Sequence, residues 1–151
     1  MYAIFSISPY HKNIARSLLK EPKFYFYDIV RTQNTGPRLE NLVACALLKE
    51  AQMLQDQKGY KTTLHYLRTK DGDEIDFCLI VEDKPAIAIE VKNADDQPSP
   101  AFKVFRSFLE NTAKVQLVHE LKREFTTQDG IQVRNVSQFL STFCLEDYLK
   151  L

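Results

Sequence analysis

Residues 86 to 92 read AIAIEVK, an apolar run that ends on Glu90 and Lys92, an acid and a base two residues apart. Acid, any residue, lysine also occurs at Glu21/Lys23, Asp56/Lys58, Glu82/Lys84 and Glu120/Lys122, so the string alone says little. Only Glu90 and Lys92 close a continuous β-like run. Side chains alternate along a strand, which puts Ile87, Ile89 and Val91 on one face and Ala86, Ala88, Glu90 and Lys92 on the other. The two charges are then roughly 7 Å apart at a rise of ~3.3 Å per residue. In EIDFCLIV, residues 74 to 81, the same rule groups Glu74, Asp76, Cys78 and Ile80. A three-residue connection, Glu82 to Lys84, sets Asp76 directly across from Glu90, whereas a four-residue one sends them to opposite faces. The first register is the expectation. It leaves two carboxylates about 5 Å apart, repelling by roughly 3 kcal/mol at an effective dielectric near 20. A hard divalent cation, Mg²⁺ or Mn²⁺, bound by one or two carboxylates with water completing its shell, relieves that repulsion. Lys92 beside it could position or help deprotonate an attacking water, or stabilise charge building on a phosphoryl oxygen.

The elements that must carry these residues are legible from spacing. PYHKNIARSLLKE has Ile14, Leu18 and Leu19 at helical spacing and stops at Pro22; KFYFYDIV, residues 23 to 30, is aromatic and β-branched and reads as a strand. After TQNTGP a helix starts near Pro37, whose missing N–H costs nothing in a first turn. Through RLENLVACALLKEAQML its apolar stripe is Leu39, Leu42, Val43, Ala46 and Leu47, with Glu40 near the edge of the stripe. TTLHYLRTK and EIDFCLIV flank an Asp-Gly turn, and AIAIEVK returns after EDKP, giving a meander of three strands. SPAFKVFRSFLENT reads as a second helix, KVQLVHEL and GIQVRNV as further strands, and SQFLSTFCLEDYLKL as a closing helix. The class is α/β or α+β: a central sheet with helices on its faces.

Bulk properties narrow the function. The chain has 151 residues, enough for one domain with a real core. Lys+Arg and Asp+Glu number 20 each, so no overall field draws the molecule to nucleic acid or an anionic membrane, and any such contact is local. Cys45, Cys78 and Cys144 are odd in number and set in apolar surroundings, as small core residues of a reduced, cytoplasmic protein are. His11, His65 and His119 show no ligand spacing. No apolar run approaches the ~18 residues of a membrane span, and no signal peptide opens the sequence. The four glycines build no phosphate-binding loop and no serine sits in a nucleophile elbow, so neither ATP hydrolysis nor serine hydrolase chemistry is supported.

An acid on an early helix, an Asp in one strand, and an acid, any residue, Lys in the next strand resemble the PD-(D/E)XK nuclease superfamily. KFYFYDI, RLENLVACALL, YLRTKDGDEIDF and IEVK, in that order, resemble more closely the nuclease-like domain of unknown function 4143, which closes many bacterial and archaeal AAA+-type ATPases. The likeness runs from about Tyr10 to Val118. It implies a restriction-endonuclease-like α/β fold with a central mixed sheet flanked by helices. It also implies a single nuclease-like domain over 1–151, with 1–22 as a junction from a preceding ATPase module. The implied metal set for Mg²⁺ or Mn²⁺ is Asp76, Glu90, the Val91 carbonyl and Glu40; the catalytic set is Glu40, Asp76, Glu90 and Lys92. Arg68 and Lys70 match basic positions of the family, and SPAFKVFRSFLE carries Lys103 and Arg106 in place of the further glutamine of some nuclease branches. The implied activity is metal-dependent hydrolysis of phosphodiester bonds in DNA. A catalytically silent interaction module serving an AAA+-type ATPase is the alternative.

Plainer readings exist for each residue. Glu40 near a helix start favours the positive end of the dipole in any protein. Asp76 could be a charge that guards a sheet edge. Lys92 could pair at a strand end with Asp95 or Asp96 in the loop NADDQPSP. KFYFY could stack bases, or pack as ordinary alternating aromatics.

Overall fold

The computed structural model describes residues 3–11, 21–32 and 34–149. The helix expected over PYHKNIARSLLKE falls mainly on 12–20, outside the described residues.

Two short strands precede the main sheet. β1 (Ile4–Ile7) and β2 (Lys23–Phe26) pair antiparallel as a ribbon in which Phe5 faces Tyr25. KFYFYDIV therefore extends for only half its length; Asp28 then accepts from the Val30 N–H at 3.2 Å and starts a 3-10 turn at Ile29–Arg31. Tyr25 is buried while Phe24 stays exposed, the alternation of a ribbon with one face on the core.

α1 (Thr35–Lys58) begins with Pro37 inside its first turn and ends at Gly59, which adopts φ 74° and donates its N–H to the Gln55 carbonyl. Its buried side is Leu39, Val43, Ala44, Leu47, Ala51 and Leu54. Leu42, expected in the stripe, is exposed. The stripe is rotated toward Ala44 and Ala51, both buried, so that Leu47 and Leu54 lie near its centre. Glu40, Val43, Ala44 and Leu47 then share one line at i, i+3, i+4, i+7, and Glu40 lies on the inward face and not at its edge.

The six-stranded sheet runs β3 (Thr62–Arg68), β4 (Glu74–Val81), β5 (Lys84–Lys92), β6 (Ala113–Val118), β8 (Ile131–Asn135), β7 (Phe125–Thr126). β3 to β5 form the expected antiparallel meander; β5, β6 and β8 are parallel, so the sheet is mixed. One face, with Phe77, Leu79, Ile87, Ile89, Val115 and Leu117, packs under α1 and α3 (Val136–Thr142). The other, with Ile75, Cys78, Ile80 and Ala88, is covered by Phe102 and Leu109 around α2 (Ala101–Val104). Both faces of β4 and β5 are therefore inside, which explains their near-continuous apolar runs.

Two expected helices are shorter. SPAFKVFRSFLENT is helical only over Ala101–Val104; beyond it Arg106 N–H turns back three residues to Lys103 while Leu109 N–H reaches four, to Phe105. The closing segment breaks after Thr142, with extended Phe143 and Cys144 before a 3-10 turn at Leu145–Tyr148. Leu145 N–H bonds the Glu50 carboxylate of α1 at 3.2 Å, a tertiary contact that a continued helix would forfeit. Of the cysteines, Cys78 is a buried core residue as expected, but Cys144 is exposed. No helix among the described residues is long and apolar enough to cross a membrane.

Asn41 ties the ribbon to α1. Its side chain accepts from the Phe26 N–H and donates to the Phe26 carbonyl, both at 2.7 Å, as a neighbouring strand would. Asn41→Ala orphans both groups and is expected to cost about 2 kcal/mol, measured as a lowered urea midpoint with unchanged m.

Candidate functional site

The position of Asp76 depends on two bulges. Val81 pairs with Lys84 across a two-residue turn in which Glu82 and Asp83 take φ 48° and 61°. This is the primed geometry of tight hairpins, not the expected three-residue connection. Carried inward unchanged, that register would set Asp76 across from Ile89. Between Leu79/Ile87 and Ile80/Pro85 the pairing shifts, leaving Ala86 as an extra residue in β5. Phe77 then faces Ile89, and Asp76 comes opposite Glu90. Ala86 accordingly packs toward the α1 core with Ile87, not on the Glu90 face as alternation alone requires.

The second bulge lies in β4 against β3, where His65 faces Cys78 but Leu67 faces Ile75. Ile75 thereby joins the core of Cys78 and Ile80, while Asp76 and Phe77 both reach toward the α1 side. The Glu74, Asp76, Cys78, Ile80 face read from alternation is thus interrupted. Glu90, flanked by Ile89 and Val91 of the α1 core, leaves β5 from the opposite face. The two carboxylates meet in the gap where β4 and β5 part, not on a common face. There Val91 N–H donates to Asp76 Oδ2 at 2.9 Å, and Asp76 N–H lies 3.3 Å from Glu90 Oε2. Side chains have taken over the ladder bonds of the diverging strands. Lys92 Nζ is 2.8 Å from Glu90 Oε1, so Asp76, Glu90 and Lys92 are in one place. The Val91 atom seen to engage the site is its N–H.

Glu40 reaches the same place from α1. Tyr25 hydroxyl donates to its Oε1 at 2.7 Å, and Lys23 Nζ is 3.6 Å from that oxygen. Lys23 also stands 3.7 Å from Asp76 Oδ1, forms an ion pair with Glu74, and lies over the Tyr66 ring at 5.1 Å. In the sequence Lys23 is only one of several acid-to-lysine strings, beside Glu21. Its signal was alternation in KFYFY, which sends residues 23 and 25 to the same side. Arg68 ends β3 opposite Glu74, at the margin of the site. Lys70 sits exposed in the turn beyond.

The electrostatics follow from the crowding. Burial, then Glu90, then Glu40 push the Asp76 carboxyl up to about 7, against the lowering effects of the Val91 N–H and Lys23. Burial works against the Lys23 charge, but the Glu74 hydrogen bond and the Glu40 and Asp76 carboxylates outweigh it and hold the ammonium above its usual range. Lys92 behaves likewise: burial opposes its charge, and Glu90, Asp76 and Asp95 more than restore it. Tyr25 is pushed far above a free phenol, first by burial and then by Glu40, so it remains a donor to that carboxylate. Lys92 is therefore not a strand-end cation paired with Asp95 or Asp96; its ion pair is with the nearly buried Glu90.

The loop after β5 is held by Gln116 of β6, fully buried and paired with Glu90 in the parallel ladder. Gln116 accepts from the Ser99 N–H at 2.8 Å and donates to the Asp95 and Gln97 carbonyls at 3.1 and 2.9 Å. NADDQPSP is thus anchored from beneath. Gln116→Ala removes a buried side chain and three bonds, and is expected to cost about 3 kcal/mol in chemical denaturation and to speed amide exchange across residues 95–99.

In kind, the oxygen donors of Asp76, Glu90 and Glu40 suit a hard divalent cation. As arranged, no group of three or more such side chains among the described residues is placed to hold one. Lys23 stands among three of the carboxylates and supplies the positive charge that sequence reasoning assigned to a metal. The donor chemistry fits, therefore, with an internal ammonium as its competitor.

The chain belongs to the family described as Domain of unknown function (DUF4143), whose match covers residues 35–139, from the start of α1 into α3. No curated protein and no solved structure matches it.

Proposed function

We propose that this DUF4143 domain is a cytoplasmic metal-dependent nuclease of the restriction-endonuclease-like PD-(D/E)XK class, hydrolysing phosphodiester bonds in DNA. The observation that carries the reading is the meeting of Asp76, Glu90 and Lys92 in the fork of β4 and β5, with Glu40 joined through Tyr25 and Lys23. Asp76 and Glu90, assisted by Glu40, would hold Mg²⁺ or Mn²⁺. A divalent cation there would lower the pKa of a bound water and polarise a phosphoryl oxygen. Lys92, kept charged by Glu90, is placed to neutralise negative charge growing on the phosphate. Tyr25 keeps the Glu40 carboxylate oriented, and Val91 N–H does the same for Asp76.

Plasmid nicking tests this directly. The wild-type chain with Mn²⁺ is expected to convert supercoiled DNA to open circles. Glu90→Gln, which keeps the size of the side chain and removes its charge, is expected to do so at a rate lower by ~10²–10³, the usual cost of one electrostatic stabiliser. Equal rates in the two chains, or equal rates with and without chelator, would sink the reading.

One observation favours a second reading. Lys23 already compensates Glu40, Glu74 and Asp76, as a catalytically silent domain would require of its own side chains. In that case the chain is an interaction module accessory to an AAA+-type ATPase, and Mn²⁺ leaves its melting temperature unchanged.

A further inference from the structure

On the other face of the sheet from α1, a cavity of about 700 Å³ opens between α2 and the starts of β6 and β8. Its cationic lining is Lys103, Arg106 and Lys114; Glu110 and Asp129 share the wall, and Phe102 and Ile131 form a buried apolar floor. We propose that this cavity binds a phosphate group, carried by a nucleic-acid strand or by a free nucleotide. The proposal is independent of the carboxylate site.

Scattered surface lysines are ordinarily solvated and mean nothing. Three features separate this cluster from that case. First, cations outnumber carboxylates three to two around one cavity, in a chain whose formal charge is zero. Second, none of these five groups enters an ion pair among the described residues, although both signs line the same wall. All three cations line the cavity. Third, Lys114 is half-buried on a sheet strand, and its amine bonds the Leu109 carbonyl at 3.4 Å, which fixes the direction of its charge. Lys103 and Arg106 are three residues apart on one turn and so share a side.

The chemistry suits phosphate more than carboxylate or a metal. Arg106 can offer a planar fork to phosphate oxygens, the two lysines supply point charges, and the surplus of one positive charge matches the single negative charge of a backbone phosphate. A volume in this range accommodates a ligand of nucleotide size, with Phe102 and Ile131 beneath its apolar part.

The test uses the full chain, Lys103→Gln/Arg106→Gln, Lys114→Gln, Glu110→Gln and, as a control, Lys49→Gln on the exposed side of α1, with three probes at low salt: inorganic phosphate, ADP, and a fluorescein-labelled 12-nucleotide DNA strand. Removing cations is expected to weaken binding about tenfold per strong contact, and Glu110→Gln to tighten it. Lys49→Gln is expected to leave it unchanged. A response to the DNA strand alone, with the slope of log K against log salt falling by about one per lysine or arginine removed, identifies a nucleic-acid backbone. A response to ADP or inorganic phosphate, seen also as a raised melting temperature, identifies a free phosphate ligand. The proposal is overturned if no probe binds, if the cation variants bind as the wild type does, or if Lys49→Gln weakens binding as much as they do. Glu110→Gln keeps the test decisive should a cation variant fold poorly, since it must act in the opposite direction.

Discussion

An Asp76→Asn chain is expected to be more stable than the wild type at pH 8 and no more stable at pH 4, while losing metal-dependent cleavage. The stability effect follows from the crowding of Asp76, whose carboxyl is raised to about 7 first by burial and then by Glu90 and Glu40. The folded chain therefore holds this proton more tightly than the unfolded chain, whose value is the ordinary 3.8. Below the unfolded value both states carry the proton and no difference arises. Between about 4 and 7 the unfolded chain ionises freely and the folded chain does not, so wild-type stability falls as pH rises. Above 7 the penalty is complete, up to about 4 kcal/mol at 1.36 kcal/mol per unit. Asparagine accepts from Val91 N–H without bringing the charge. Urea midpoints at pH 4, 6 and 8 read the effect; parallel curves for the two chains would show that Asp76 is not the source. Mn²⁺ provides the complementary arm. If Asp76 is a metal ligand, the cation stabilises the wild type most at high pH, where the carboxylate is free to accept it, and leaves Asp76→Asn unmoved. Cleavage is expected to fall by ~10²–10³.

Much of this site could be read from the chain because strands and helices impose strict periods. The AIAIEVK and EIDFCLIV runs fixed which residues lie on central strands, and the Asp-Gly turn fixed their connection to β3. The pairing of Asp76 with Glu90 was expected for the wrong reason. The connection is two residues, and the bulge at Ala86 restores the even register that a three-residue loop would have given. Bulges leave little trace in sequence: alanine beside proline looks like an ordinary strand start, and nothing local separates Asp76–Phe77 from a regular pair. The bulge at Asp76 is nevertheless what turns this carboxylate toward Glu40 and Lys23. Alanines hid the rotation of α1 in a similar way, since Ala44 and Ala51 add little to a hydrophobic pattern yet are both buried. Side-chain partners of backbone groups, Asn41 on Phe26 and Gln116 under the loop, were invisible because they depend on contacts across 15 to 21 residues. The helix that stops at Thr142 ended for a tertiary reason as well, the bond from Leu145 to Glu50.

Lys23→Met is expected to separate the two functional readings more sharply than any change to a carboxylate. Lys23 is the common cation of Glu40, Glu74 and Asp76, about a quarter exposed, with its ammonium over the Tyr66 ring. Methionine keeps the stem and removes the charge. Three carboxylates are then left facing one another, at an expected cost of about 2–3 kcal/mol at pH 8, below the 3–5 kcal/mol of a fully buried broken pair because solvent screens part of it. The cost shrinks toward pH 5, where Asp76 takes up its proton. What Mn²⁺ does to this variant decides between the readings. In a nuclease, the ammonium and the divalent cation compete for the same oxygens, so deleting the first must strengthen the second. Mn²⁺ should then raise the melting temperature of Lys23→Met more than that of the wild type and recover most of the loss at pH 8. In a silent domain, Lys23 is the permanent counter-ion, and the oxygens it leaves are not disposed around a metal. Mn²⁺ would then stabilise neither chain, and only protonation would restore the variant.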